Sequence, residues 1–201
     1  MRKEVNMNKN LKYIVKIGIL SAVAAVLMLF ELPLWFAPPF YKLDFSEIPI
    51  LIGSFALGPL AGVIMELLKN LLNLLMDGTT TAFVGEFANF VTGCAFVLPA
   101  ALIYKHKKSL KSALFGLVLG TLSLVIVGAL MNYYILVPTF SELYHLPLEN
   151  IVAMGTAVNA SISDLKTLII FAVMPFNLIK SLACSAVTLL LYKRVSKILH
   201  I

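Results

Sequence analysis

Lys180 is a charged residue inside an apolar segment, a position that the packing of apolar side chains does not explain. It lies midway along the apolar run 168–191, which is long enough to cross a bilayer. An ammonium near the bilayer centre costs roughly 2.5–3.5 kcal/mol on insertion scales. Asn177 falls three residues earlier on the same helical face, and Pro175 removes a backbone hydrogen bond nearby. The pattern predicts a polar site cut into a membrane protein.

Other polar residues also fall inside apolar segments. Glu66 and Lys69 are three apart, which we interpret as a self-neutralising pair at a helix interface, with a cavity position as the alternative. Glu86 and Asn89 have the same spacing and fit cavity lining or hydrogen bonding between helices equally well. Asn132, which two tyrosines follow, is by itself typical of an interfacial residue beside an aromatic belt.

The stretch 36–49 joins the first two apolar segments and is unusually rich in proline and aromatic residues. An interfacial aromatic girdle would account for Trp35, but it leaves the stiffening prolines unexplained. A rigid aromatic loop above a polar cavity would instead form a lid for a flat, amphipathic ligand. The aromatic residues are Trp35, Phe36, Phe40, Tyr41 and Phe45.

Composition sets the class of protein that must position these residues. The chain of 201 residues is 60% hydrophobic and 13% charged, with a mean hydropathy of +0.95. These values exclude a soluble domain and predict an all-α, polytopic membrane protein with a single transmembrane domain. Cys94 and Cys184 lie in apolar segments without metal-ligand spacing. The sequence contains no Walker A loop and no catalytic motif, so it predicts neither ATP hydrolysis nor an enzyme.

The apolar runs predict six spanning segments, and basic residues predict their orientation. The segments are about 11–36, 46–57, 59–76, 82–104, 110–136 and 166–192. Five lysines and arginines precede or open the first segment, four fill the fourth connection and three follow the last, which is twelve of sixteen. With six spans, all three groups fall on one side, so both termini are predicted to be cytoplasmic. The net charge of +6 is thereby explained by topology, and a nucleic-acid partner is excluded.

Two further features concern packing. Ser21 and Ala25 form a small-xxx-small pair on the first segment, which allows another helix to approach closely. Either a helix of the same chain or a partner subunit would satisfy this pattern. The long connection before the last segment contains Pro147, and the residues after it predict a short interfacial helix.

Several stretches are similar to a known family. They are KLDFSEIP (42–49), IGSFALGPLAG (52–62), ELLKNLL (66–72), GEFANF (85–90) and PFNLIK (175–180). In these stretches the chain resembles the substrate-binding S component of energy-coupling factor (ECF) vitamin transporters, and in particular its riboflavin-binding members. Length and the predicted topology, with both termini cytoplasmic, agree with this resemblance.

The resemblance implies a multi-pass protein of the prokaryotic cell membrane that captures riboflavin from outside and has no cofactor of its own. It implies a transmembrane T component and two cytoplasmic ATPases as partners, with Ser21, Ala22 and Ala25 facing the T component. It implies that Asn132, Asn177 and Lys180 touch the flavin. It also implies that the connection between the first two segments, including Leu43, Asp44 and Phe45, encloses the flavin. We add Tyr41, Glu86 and Asn89 as candidate binding residues from the loop and cavity arguments.

Three alternatives remain at this stage. The same scaffold could bind another vitamin. A small lipid-modifying membrane enzyme would need acidic or histidine residues clustered near one interface, which the sequence does not show. A structural membrane subunit would have no need of Lys180 and Asn177 at mid-membrane depth.

Overall fold

The computed structural model describes residues 9–38, 40–79 and 81–199, with side chains to residue 191. Its helices are α1 Lys9–Met28, α2 Glu47–Leu57, α3 Pro59–Asp77, α4 Val84–His106, α5 Leu110–Met131, α6 Val137–Leu143, α7 Leu148–Thr156, α8 Leu165–Leu168 and α9 Met174–Leu199. Two short strands, β1 Leu32–Pro33 and β2 Lys42–Leu43, pair antiparallel. The predicted all-α architecture is confirmed.

Two π-helical segments make α5–α6 and α8–α9 continuous. Asn132–Leu136 joins α5 to α6, and Ile169–Val173 joins α8 to α9. Each π-helical segment ends two residues before a proline, Pro138 or Pro175. Proline has no backbone N–H to donate, and it falls here next to a stretch where the α-helical hydrogen-bond pattern is already interrupted. The fifth apolar helix therefore runs on to Leu143, beyond its predicted end at residue 136. The two π-helical segments contact each other.

Within the described ranges, five helices are long and apolar enough to cross a membrane. They are Lys9–Met28, Pro59–Asp77, Val84–His106, Leu110–Leu143 and Leu165–Leu191. The second predicted segment is the helix α2, whose 11 residues span only about 16 Å against a hydrocarbon core of about 30 Å. Every residue from 47 to 55 in α2 is buried, so other helices surround it.

The helix that corresponds to the first predicted segment ends earlier than predicted. Helix α1 ends at Met28 rather than near residue 36. The chain then enters β1, where Leu32 pairs with Leu43 and Pro33 with Lys42. This pairing, with a proline that cannot continue a helix, turns the chain back toward α2. We call residues 29–46 the first loop.

Packing places the remaining elements around α2. Helix α2 contacts α1, α3, α4 and α9, and a turn at Gly58, with φ of +101°, connects it to α3. The helix predicted after Pro147 is present as α7. Its residues Ile151 and Val152 are buried against Val137 and Leu168. One face of α7 therefore packs on the protein itself.

Candidate ligand-binding site

A cavity of about 300 Å³ lies beneath the first loop, between the ends of α3, α4, α5 and α9. Seven of the nine predicted binding residues line it: Tyr41, Asp44, Glu86, Asn89, Asn132, Asn177 and Lys180. Sequence reasoning missed other polar lining residues, namely Glu31, Lys42, Asn73, Asp77, Thr81 and Thr92. The fold brings these residues together although some are far apart in the sequence: Asp44 and Lys180 are 136 positions apart.

The amide of Asn132 is held by two hydrogen bonds on one wall of the cavity. Its Nδ2 donates to the carbonyl oxygen of Gly128 at 2.8 Å, one turn back in α5. Its Oδ1 accepts from the hydroxyl of Tyr41 at 2.6 Å. Asn132 begins one π-helical segment, and Asn177 lies one turn beyond the other. The contact between these segments therefore sets two buried amides beside the same cavity.

Lys180 forms an ion pair with Asp44 of the first loop. Its Nζ lies 2.7 Å from Asp44 Oδ2, and both side chains are largely buried. Ser46 also donates to Asp44, through its backbone N–H at 2.9 Å and through its hydroxyl. Lys180 thus ties the first loop to α9. It also lines the cavity, and because an ammonium has three N–H donors, it can bind a ligand while it remains paired with Asp44.

Tyr41 forms part of the cavity roof. Its ring packs against Phe176 with 5.4 Å between ring centroids, and against Phe40 with 4.6 Å. A phenol is protonated at neutral pH, so the Tyr41 hydroxyl can donate to Asn132. A second chamber of about 450 Å³ shares Tyr41 and Asn132 with the first cavity. Tyr41 therefore lies where the two chambers meet, with six other lining residues that both share.

Leu43 and Phe45 do not line the cavity. Leu43 is buried with Ala37 and Phe176, and Phe45 packs against the same cluster. Because alternate residues of an extended chain point in opposite directions, Asp44 faces Lys180 while its two neighbours face the protein core. Leu43 and Phe45 therefore anchor the first loop to the core, whereas the sequence predicts them among the binding residues.

Glu86 and Asn89 both lie at the cavity wall, as the cavity interpretation predicted. Thr81 donates to Glu86 Oε2 at 2.8 Å and accepts from the Gly85 N–H at 3.0 Å, which ties the start of α4 together. Thr92, one turn after Ala88, uses its hydroxyl to donate to the Ala88 carbonyl at 2.7 Å. This end of the cavity is rich in hydroxyl, amide and carboxylate groups.

Glu66 and Lys69 form the predicted ion pair, and they do not line the cavity. Lys69 also pairs with a second carboxylate, that of Glu47. Lys69 Nζ lies 2.8 Å from Glu66 Oε2 and 2.7 Å from Glu47 Oε1. All three side chains are almost completely buried. Nothing in the sequence links Glu47 to Lys69, which lies 22 residues later, so this partner was not predicted. This cluster fixes the start of α2 directly behind Asp44.

The small-residue pair of α1 faces inward. Ser21 and Ala25 are 0% and 1% exposed, and the Ser21 hydroxyl donates to the Ile17 carbonyl at 2.8 Å. Ala22 is exposed. The expectation that Ser21 and Ala25 present a surface to a partner is therefore wrong in this structure. Both residues serve the packing of α1 on α2 and α3, and only Ala22 of the three remains available.

Comparison with known proteins identifies the family. The sequence matches the family described as "ECF transporter, substrate-specific component" over residues 12–192. The chain belongs to this family of S components. A solved structure described as "Structure and mechanism of the S component of a bacterial ECF transporter" superposes with a TM-score of 0.73. That match is 38% identical and covers 96% of this chain and 100% of the other.

Curated relatives extend the match over nearly the whole S component. The riboflavin transporter RibU of Staphylococcus aureus (strain TCH60) is 40% identical over 199 residues, covering 98% of this chain and 97% of the relative. The riboflavin transporter FmnP of Bacillus subtilis (strain 168) is 34% identical over 182 residues, covering 90% of each. This S component is accordingly a multi-pass membrane protein of a transport system, and not an enzyme.

Proposed function

We propose that this S component captures riboflavin at the outer face of the cell membrane and delivers it to an ATP-driven ECF importer. The observation that carries the proposal is the convergence of Asn132, Asn177 and Lys180 on one cavity, roofed by Tyr41. The names of the curated relatives, which are riboflavin transporters at up to 40% identity, support the choice of vitamin.

The chemistry of the cavity suits a flavin. The isoalloxazine ring is flat and apolar on its faces, where the rings of Tyr41 and Phe176 offer stacking surfaces. Its carbonyl and imide groups lie along one edge, and two amides with an ammonium supply both donors and acceptors for that edge. The ribityl hydroxyls need polar partners, which Thr81, Glu86 and Asn89 can provide. A cavity of about 300 Å³ lies at the lower end of ordinary ligand pockets.

We infer six membrane crossings with both termini in the cytoplasm. Residues 41–46 enter the bundle beside Lys180, and α2 continues from there to the region of Lys105 and Lys108. Loop and short helix together thus complete one crossing. Non-helical backbone is tolerated at membrane depth when protein surrounds it, and Asp44 and Ser46 are buried. The basic groups then lie on a single side.

A titration of the purified S component tests the proposal. Protein purified from a riboflavin-free culture should quench the fluorescence of added riboflavin in a saturable way. Other vitamins, such as thiamine and biotin, should not compete for the site. Saturable binding of another vitamin, with riboflavin inactive, would mean that the scaffold serves that vitamin instead.

Tyr41→Phe should speed the release of bound riboflavin. The substitution keeps the roof ring but removes the donor to Asn132, and one hydrogen bond of this kind is worth about 0.5–1.5 kcal/mol. We expect a two- to tenfold faster dissociation rate by stopped-flow fluorescence, with little change in thermal stability. Tyr134→Phe, at an exposed tyrosine, is the matched control. An unchanged release rate would show that Tyr41 does not gate the cavity.

Partners of this S component are proposed to be a T component and two ATPases, and α1 offers a test of the contact. Ala22→Trp adds a bulky group on an exposed face, so it should keep riboflavin binding and reduce co-purification with a tagged T component. Ala25→Trp places the same group in a buried position and should instead destabilise the isolated subunit. Full co-purification of Ala22→Trp would place the partner surface elsewhere.

A further inference from the structure

Gly128 of α5 contacts both amides of the proposed site without lining the cavity itself. Its carbonyl oxygen accepts from Asn132 Nδ2 at 2.8 Å. A Cβ built on its Cα would lie 2.5 Å from Asn177 Nδ2 and 3.3 Å from Asn177 Cγ. Real Cβ atoms essentially never approach another atom within 3.0 Å. The amide of Asn177 therefore occupies the space that any larger side chain at position 128 would need.

Other glycines of α5 meet different atoms. A Cβ at Gly116 would lie 2.8 Å from the Ala100 carbonyl oxygen, and one at Gly120 would lie 2.4 Å from the Phe96 carbonyl oxygen. Those two positions allow the backbones of α4 and α5 to approach, which is a packing role. At Gly128 the nearest atoms all belong to the polar side chain of Asn177. Packing of two backbones does not explain this glycine.

We propose that Gly128 is a positioning residue for ligand binding, which sets the two site amides relative to each other and to Lys180. One amide is held through the Gly128 carbonyl, and the other is admitted by the missing side chain. Asn177 and Lys180 are three residues apart on α9, so a displaced Asn177 amide changes its position relative to the ammonium. A flat ligand edge that contacts all three groups would then lose its fit. This inference rests on the proposed riboflavin site.

Gly128→Ala in the full-length S component tests the inference. Alanine is the better helix former, so helix propensity does not explain a loss of binding in this variant. We expect the dissociation constant for riboflavin to rise about tenfold or more. In an Asn177→Ala background the same change should alter the constant less than about twofold, because the amide that the methyl group displaces is gone. An equal loss in both backgrounds, or no loss in the wild type, would overturn the proposal.

Thermal unfolding of the ligand-free variants separates positioning from misfolding. Gly128→Ala together with Asn177→Ala should unfold at the temperature of Asn177→Ala alone. Gly120→Ala is the matched packing control and should lower the unfolding temperature in either background. If the Gly128/Asn177 double variant also fails to fold, Gly128 is a packing glycine and the inference is wrong. If wild-type protein binds no riboflavin, the proposed function fails, while the coupling measured by unfolding still tests the contact between Gly128 and Asn177.

Discussion

Replacing Lys69 with methionine is expected to lower the free energy of unfolding by about 3–5 kcal/mol. Lys69 is 0% exposed and lies within 2.8 Å of a carboxylate oxygen on each of Glu47 and Glu66. Methionine keeps most of the side-chain volume but removes the only charge that contacts both carboxylates in the described part of the chain. Breaking a buried ion pair by removing one partner leaves an uncompensated buried charge.

Thermal unfolding in detergent or nanodiscs measures this loss. Lys42→Met is the matched control, because Lys42 pairs with Glu31 and both side chains are close to half exposed. Exposed pairs contribute about 0–1 kcal/mol, so the control should remain near the wild-type stability. Replacing Lys69, Glu47 and Glu66 together with neutral isosteres should recover much of the loss. Wild-type stability of Lys69→Met would show that the three side chains do not depend on one another.

Replacing Lys180 with methionine is expected to weaken riboflavin binding by about 1–3 kcal/mol, which is roughly 5- to 150-fold. The ammonium faces the cavity and also pairs with Asp44 at 2.7 Å. The variant therefore loses a donor to the ligand and leaves the Asp44 carboxylate of the first loop without its counter-ion. Both changes act in the same direction, so their contributions need a separate measurement.

An Asp44→Asn background separates them. If Lys180 contacts riboflavin, Lys180→Met should still weaken binding when Asp44 is already neutral. If Lys180 serves only as the counter-ion of the loop, the double variant should bind as well as Asp44→Asn alone. Riboflavin titrations of the four proteins decide between these outcomes. Wild-type affinity in Lys180→Met would remove Lys180 from the site altogether.

The sequence by itself determined the class of protein and pointed to seven of the residues that line the cavity. Long apolar runs require membrane-crossing helices, because each backbone polar group must be satisfied within the bilayer. Helical periodicity places Asn177 and Lys180 on one face, and five polar residues noted inside apolar segments line the cavity, namely Glu86, Asn89, Asn132, Asn177 and Lys180. The resemblance in five short stretches pointed to the family that the comparisons confirmed.

Only the tertiary structure decided the partners of these groups. Asp44 and Lys180 are 136 positions apart, and Glu47 and Lys69 are 22 apart, so neither pairing follows from local spacing. The direction in which α1 presents Ala22 and Ala25 was equally hidden. In a membrane helix the lipid face and the packed face are both apolar, and the polar-apolar contrast that marks the buried face of a soluble helix is missing. The role of Gly128 likewise depends on how closely α9 approaches α5, which only the packing of the two helices determines.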